Sequence, residues 1–134
     1  MQPERILIID DEEDIREVAS LTLEEAGFEV ITATCGREGI EPAIAEQPDA
    51  ILLDVMMPEM DGAATLARLQ ESEATRSIPV LFLTAKVQPA DKRCLSSLGA
   101  VAILPKPFDP DRLGYDITTA LGWTAGRHEG TAST

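Results

Sequence analysis

The chain has 134 residues, with 11 Lys and Arg against 24 Asp and Glu, a formal net charge of −13 at pH 7. That length holds one ordinary domain, and 44% hydrophobic residues supply a core that needs no disulfide or metal staple. The acidic balance argues against nucleic acid and anionic membrane surfaces, which recruit Lys and Arg, and no apolar run approaches the ~20 residues of a spanning helix.

In chain order, Arg5–Asp10 is the first expected strand, an Ile- and Leu-rich run closed by acid. A helix follows over Glu13–Ala26, where Ile15, Val18, Ala19, Leu21 and Thr22 recur at helical spacing and Gly27 supplies the stop. Phe28–Ala33 is the second strand. Gly36–Glu46 is a shorter helix whose Pro42 is awkward unless it lies in the first turn. Ala50–Asp54 is the third strand, and Gly62–Ser72 the third helix, with Leu66 and Leu69 on one face and Gly62 serving the turn into it. Val80–Thr84 and Val101–Leu104 are the last strands. Between them Pro89–Leu98 opens with a proline suited to a first turn and ends before Gly99. Asp109–Leu121 is the fifth helix, its Asp-Pro-Asp read as an N-cap and an N1 proline. Residues 1–122 thus form the domain. From Trp123 to Thr134, His128 included, the chain is small and polar without periodicity, and reads as a flexible tail.

Strand and helix alternating in this way imply an α/β doubly wound sandwich, and near-continuous apolar strands imply a parallel sheet covered on both faces. The N-terminal Met1-Gln2-Pro3-Glu4-Arg5 lacks the build of a signal peptide. Cys35 and Cys94 stand in unrelated contexts as reduced, inert small hydrophobes, so a cytoplasmic location is expected.

The polar residues fall at one end of this pattern. Strand one closes in Asp10-Asp11, strand three in Asp54 and strand four in Thr84, while Lys106-Pro107 follows strand five. Sites in open α/β sheets form at the carboxyl ends of strands, so these residues should converge on one crevice. Taken singly, each has a plain reading: a solvated turn, a strand-ending cap, a polar strand end, a surface lysine. Together they crowd three carboxylates, which repel unless a cation sits among them. An all-oxygen set without His or thiolate suits Mg²⁺, and Mg²⁺ favours phosphate oxygens as further ligands. Lys106 offers a point charge for phosphate, Thr84 a hydroxyl, and a carboxylate can act as the nucleophile. The Glu residues of the first helix, Glu12, Glu13, Glu17, Glu24 and Glu25, read as a solvated face.

The segments Ile8-Ile9-Asp10-Asp11-Glu12, Leu53-Asp54-Val55-Met56-Met57-Pro58-Glu59-Met60-Asp61-Gly62, Leu83-Thr84-Ala85 and Lys106-Pro107-Phe108 resemble, in order and spacing, the receiver domain of two-component response regulators. The resemblance covers Arg5 to Leu121 and fits the stand-alone, single-domain type typified by chemotaxis receivers. It implies a flavodoxin-like (βα)5 sandwich with a parallel five-stranded sheet of order 2-1-3-4-5. It also implies a role for each residue. Asp54 is the phosphoacceptor. Asp11 holds Mg²⁺ directly and Asp10 mostly through water, with Asp54 and the Met56 backbone carbonyl completing the metal set. Thr84 is the switch hydroxyl, Ala85 keeps its approach clear, and Lys106 binds phosphate. The bond to Pro107 is cis in the family, which would aim the lysine inward. Met56 and Lys86 flank the path of hydrolytic water and tune the lifetime of the phosphorylated form. One position departs from the pattern: the family often places Tyr or Phe three residues before the lysine, and here it is Ile103, so the readout of phosphorylation is altered.

The function this implies is a phosphoprotein that takes its phosphoryl group from a histidine kinase or histidine phosphotransfer protein. It signals by protein contact through the helix 4, strand 5 and helix 5 face, with a dimer formed on phosphorylation among the contacts the family admits. It is not an enzyme beyond self-phosphotransfer and autodephosphorylation. Three alternatives stay open at this point: a receiver excised from a longer regulator, a pseudo-receiver scaffold, and a haloacid dehalogenase-type phosphatase. The last class also uses a strand-end Asp but carries a second Asp two residues later, where this chain has Met56.

Overall fold

The computed structural model describes residues 3–85 and 88–123. Its five strands are β1 (Arg5–Ile9), β2 (Glu29–Ala33), β3 (Ala50–Asp54), β4 (Val80–Thr84) and β5 (Ala102–Pro105). They alternate with α1 (Glu13–Glu25), α2 (Gly36–Glu46), α3 (Gly62–Glu71), α4 (Pro89–Ser96) and α5 (Leu113–Leu121). Every strand pair is parallel, and the order is β2-β1-β3-β4-β5, the flavodoxin-like arrangement.

Burial follows position in the sheet. β3 and β4 are buried throughout, and β1 at every residue but Arg5, whereas the edge strands bury only Ala33 and Leu104. Side chains alternate along each strand, so the apolar runs split into two cores. Ile6, Ile8, Leu52, Leu81 and Leu83 pack on one face with Ala19 and Leu23 of α1 and Leu113 and Ile117 of α5. Leu7, Ile9, Ile51, Leu53 and Phe82 face the other way, onto Ala43 of α2, Leu66 and Leu69 of α3 and Leu95 of α4.

Several local expectations need correction. Pro42 lies in the interior of α2, not its first turn. It cannot donate to the Glu38 carbonyl, and close packing carries the helix past this lost bond. Gly36, Gly39 and Ala43 form a small-residue face in which a Cβ at Gly39 would land on Ile9 and one at Gly36 on Thr65. The Asp-Pro-Asp segment does not begin α5. Asp109 Oδ1 accepts from the Asp111 amide at 2.9 Å, and the Asp109 carbonyl from the Arg112 amide at 2.9 Å, closing a separate turn before Leu113. Trp123, expected to pack loosely at the end of the fifth helix, packs on the first core against Phe28, with ring centroids 6.0 Å apart. Both cysteines are free thiols, Cys35 partly buried and Cys94 exposed on α4. The rest of the expected tail, His128 included, lies outside the described residues.

Candidate functional site

The parallel register assembles the site. Ile9 pairs with Leu53, so Asp10, just beyond β1, and Asp54, the last residue of β3, emerge side by side. Asp54 in turn pairs with Leu83, one residue before Thr84, and Thr84 pairs with Pro105, one residue before Lys106. The Lys106 amide donates to the Thr84 carbonyl at 2.9 Å, fixing where the lysine leaves the sheet. The Lys106–Pro107 peptide bond is cis.

These residues line and underlie one cleft. Its walls are Asp11, Glu12, Asp54, Met56, Ala85 and Lys106, around a space of about 340 Å³. Asp10 and Thr84 are fully buried, and Asp54 is only 1% exposed. Asp10 Oδ1 accepts from the Glu12 amide at 2.9 Å, and Asp54 Oδ1 from the Met56 amide at 3.2 Å, so each carboxylate is held by the backbone two residues on. Lys106 Nζ stands among three carboxylates, 2.7 Å from Glu12 Oε1, 3.1 Å from Asp10 Oδ2 and 3.2 Å from Asp54 Oδ1.

The electrostatics follow from crowding in a buried place. Burial, then the neighbouring charge of Asp10, pushes the Asp54 carboxyl up to about 7, against the opposing pull of Lys106 and the Met56 amide. Burial pulls the Lys106 ammonium down, but Glu12, Asp10 and Asp54 outweigh it and raise its pKa overall, so it stays charged. Asp54 Oδ2 is buried with no hydrogen-bond partner among the described residues. An orphaned carboxylate oxygen beside a second buried carboxylate fits a hard divalent cation, which would both pair the oxygen and relieve the repulsion. The carboxylates of Asp10, Glu12 and Asp54 lie within 4.8 Å of one another.

The sequence-predicted residues are thus largely brought together. Asp11 lines the same cleft with an exposed side chain, outside that closest group of carboxylates. Met56 turns its side chain outward, 56% exposed, and Ala85 is exposed at the rim. Ile103 is half-buried, packs on the second core and stands opposite Phe82 in the β4–β5 register. Lys86 lies outside the described residues. Glu12 is the member that sequence reasoning assigned elsewhere: it belongs to the cleft, not to a solvated helix face. Its place directly after Asp10-Asp11, at the mouth of the crevice, is the signal that could have found it.

A family model described as the response regulator receiver domain matches residues 6–118. Among curated proteins, the chain is 41% identical over 117 residues to the alkaline phosphatase synthesis transcriptional regulatory protein PhoP of Bacillus subtilis, covering 87% of this chain and 48% of that protein. It is 45% identical over 109 residues to the DNA-binding dual master transcriptional regulator RpaA of Synechocystis, covering 81% and 45%. The chain therefore spans about half the length of these curated relatives. Among solved structures, the chemotaxis response regulator CheY4 of Vibrio cholerae matches with a TM-score of 0.84 at 34% identity, covering 89% of this chain and 99% of that one. The N-terminal domain of a response regulator receiver protein from Methanoculleus marisnigri matches at 0.71 and 39%, covering 90% and 98%.

Proposed function

This chain belongs to the response regulator receiver domain family of two-component signalling, and from that premise we propose that it accepts a phosphoryl group on Asp54 from the phosphohistidine of a histidine kinase or phosphotransfer protein. In that transfer the phosphorus–nitrogen bond of the donor breaks as a phosphorus–oxygen bond to an Asp54 carboxylate oxygen forms, and the donor imidazole recovers its lone pair. The observation that carries the reading is Asp54 itself: a buried carboxylate with one unpartnered oxygen, 3.2 Å from a lysine ammonium, opening onto a cleft.

Asp10, Asp11, Asp54 and the Met56 carbonyl are the groups that would hold Mg²⁺, which, when bound, offsets carboxylate repulsion and draws charge from phosphoryl oxygens. Lys106 supplies a second positive charge to the same oxygens. Thr84 closes on the phosphoryl group through its hydroxyl, Ala85 leaves that approach clear, and half-buried Ile103 repacks without the hydroxyl contact of the usual aromatic. The chain's own chemistry is then confined to self-phosphotransfer and autodephosphorylation. Family membership displaces the haloacid dehalogenase reading. Among the described residues no helix is long and apolar enough to cross a membrane, which accords with a cytoplasmic place beside the kinases.

Output is proposed to pass by protein contact through α4, β5 and α5, by a dimer of that face or by a separate target. A second reading, a receiver working within a longer transcriptional regulator, is favoured by the half-length match to PhoP and RpaA. The acidic balance that disfavours nucleic acid is that of these 134 residues alone. The test of the phosphoacceptor is incubation with acetyl phosphate and Mg²⁺ followed by intact mass. One added phosphoryl group in the wild type and none in Asp54→Asn is expected; a labelled Asn variant would end the assignment.

A further inference from the structure

The anion nearest the Lys106 ammonium is not the phosphoacceptor. It is Glu12, at 2.7 Å, while Asp10 and Asp54 stand at 3.1 and 3.2 Å. Asp10 and Asp54 are buried parts of the floor, but the Glu12 side chain is 59% exposed and could relax into water. Its backbone is committed: the amide donates to Asp10 Oδ1, and the carbonyl accepts from the Arg16 amide at 3.1 Å, at the N-cap of α1. An acceptor side chain at an N-cap commonly turns back onto the helix. Glu12 makes no such bond and crosses the cleft to a lysine 94 residues away.

We propose that Glu12 is a positioning residue that anchors Lys106 in the resting protein and competes with the incoming phosphoryl group for it. The inference rests on Asp54 being the phosphoacceptor. An ammonium is a compact charge with three donors and no planar fork, so it follows whichever anion is strongest. A phosphoryl group carries more charge than a carboxylate and wins the exchange, yet it must first displace an ion pair that guards the mouth of the cleft. Glu12 therefore sets a threshold: it holds the lysine in place before phosphorylation and raises the amount of phosphoryl ligand needed to recruit it. The opposite role is also physically distinct. Were Glu12 chiefly a cation ligand alongside Asp10 and Asp54, removing it would weaken phosphoryl binding rather than strengthen it.

The test is titration of beryllofluoride, a phosphoryl mimic, into the full chain at saturating Mg²⁺, followed by amide NMR spectra. Glu12→Gln should lower the half-saturating concentration about threefold, the worth of a partly exposed ion pair. Glu12→Asp keeps the charge but is a methylene shorter, and should side with the Gln variant. In a Lys106→Ala background the Glu12→Gln change should shift nothing, because the pair is already broken. In the resting protein the Lys106 Nζ nitrogen resonance should move in Glu12→Gln, a readout that does not depend on ligand. The anchor is overturned by an unchanged or raised half-saturation in Glu12→Gln, or by a shift that survives loss of Lys106. A Glu12→Asp variant that behaves as wild type overturns it too, as does an unmoved Lys106 resonance. Failure of the wild type to bind beryllofluoride at all would instead overturn the phosphoacceptor reading, and the anchor with it.

Discussion

The backbone carbonyl of Asp54 rests against the α-carbon of Gly62, so closely that a Cβ added to Gly62 would stand 2.6 Å from that oxygen and 2.8 Å from the Val55 α-carbon. The Gly62 amide meanwhile donates to the Val55 carbonyl at 2.9 Å. This glycine is required for space, not for a left-handed turn, and the space belongs to the end of β3 that carries Asp54.

Gly62→Ala therefore cannot be absorbed by a flexible side chain; strand or helix backbone must shift. Overpacking of this kind costs about 1–3 kcal/mol, and here the displaced atoms include those of Asp54. Urea unfolding should show the loss, and phosphorylation by acetyl phosphate should slow in the protein that remains folded. Asp61→Ala is the companion measurement. Asp61 caps α3 by accepting from the Ala64 amide at 2.8 Å, so its loss should cost ~1 kcal/mol while leaving the phosphorylation rate near wild type. Equal slowing in both variants would show that helix stability, not contact with Asp54, controls the rate.

The raised Asp54 pKa makes a stability prediction with a definite sign. A carboxyl that titrates near 7 when folded and in the ordinary carboxylate range when unfolded binds its proton more tightly in the native state. Its contribution is fully present below the unfolded value and is lost as pH rises through about 7. Without Mg²⁺, Asp54→Asn should thus melt higher than the wild type at pH 8, and the gap should narrow towards pH 5. Saturating Mg²⁺ should close most of it at pH 8, since a ligand at a hundredfold excess over Kd adds about 2.7 kcal/mol to the form that binds it. Calorimetric melts of both proteins across pH, with Mg²⁺ and with chelator, provide the check. A gap that does not vary with pH would remove Asp54 as the titrating group.

The α/β alternation and the convergence of the polar strand ends were legible because both rest on short-range pattern plus one topological rule. β3 and β4 match their sequence-expected bounds, and Gly27, at φ 102°, supplies the stop expected of α1. What was not legible depends on which of two local options tertiary packing selects. The Asp109 side chain can cap a helix or close a turn with the same hydrogen bond, and only the placement of Leu113 in the core decides between them. Pro42 disfavours a helix locally, while Gly36 and Gly39 allow the close contact that sustains one. The partnership of Glu12 with Lys106 spans 94 residues, beyond the reach of any periodicity. Its place directly after Asp10-Asp11 puts Glu12 beside the crevice, but the acidic spacing that continues into α1 does not say which way its side chain turns.

Lys106 already occupies part of the electrostatic role of a cation, standing within 3.2 Å of Asp54 and nearer to Asp10 and Glu12. Removing it by Lys106→Ala should make the metal-free protein less stable, because buried carboxylates lose their counter-charge. The same change should tighten Mg²⁺, as a like charge has left the site. A few ångströms at the effective dielectric of a protein surface make an effect of about tenfold in Kd reasonable. Isothermal titration with Mg²⁺ measures it. The variant should nevertheless respond less to phosphorylation, with chemical-shift changes that stop near the cleft instead of spreading to α4 and β5. Weaker Mg²⁺ binding, or a spread equal to that of the wild type, would contradict the role given to Lys106.

The phosphorylated form should be comparatively long-lived, with Met56 and Lys86 setting its lifetime. Hydrolysis needs a water in line with the bond between phosphorus and the Asp54 oxygen, held by an acceptor that steers or takes its proton. Met56 is in place at the cleft wall, apolar, unbranched and 56% exposed, so it can lie over the phosphoryl group without orienting a water. Lys86, two residues after Thr84, is a charged donor and has no acceptor to offer. Ile103, packed on the second core, likewise brings no polar atom to the path. The double change Met56→Asn with Lys86→Glu supplies an amide and a carboxylate where the wild type supplies neither. It should speed dephosphorylation roughly tenfold, which is about 1.4 kcal/mol of barrier. Met56→Asn alone should give the smaller part, since an amide can position a water but cannot accept its proton outright. Decay of the phosphorylated protein after removal of acetyl phosphate, followed by intact mass, measures all three lifetimes. An unchanged or slower decay in the double variant would move control of the lifetime to the closure of Thr84 over the phosphoryl group, and Thr84→Ala would then become the variant that changes it.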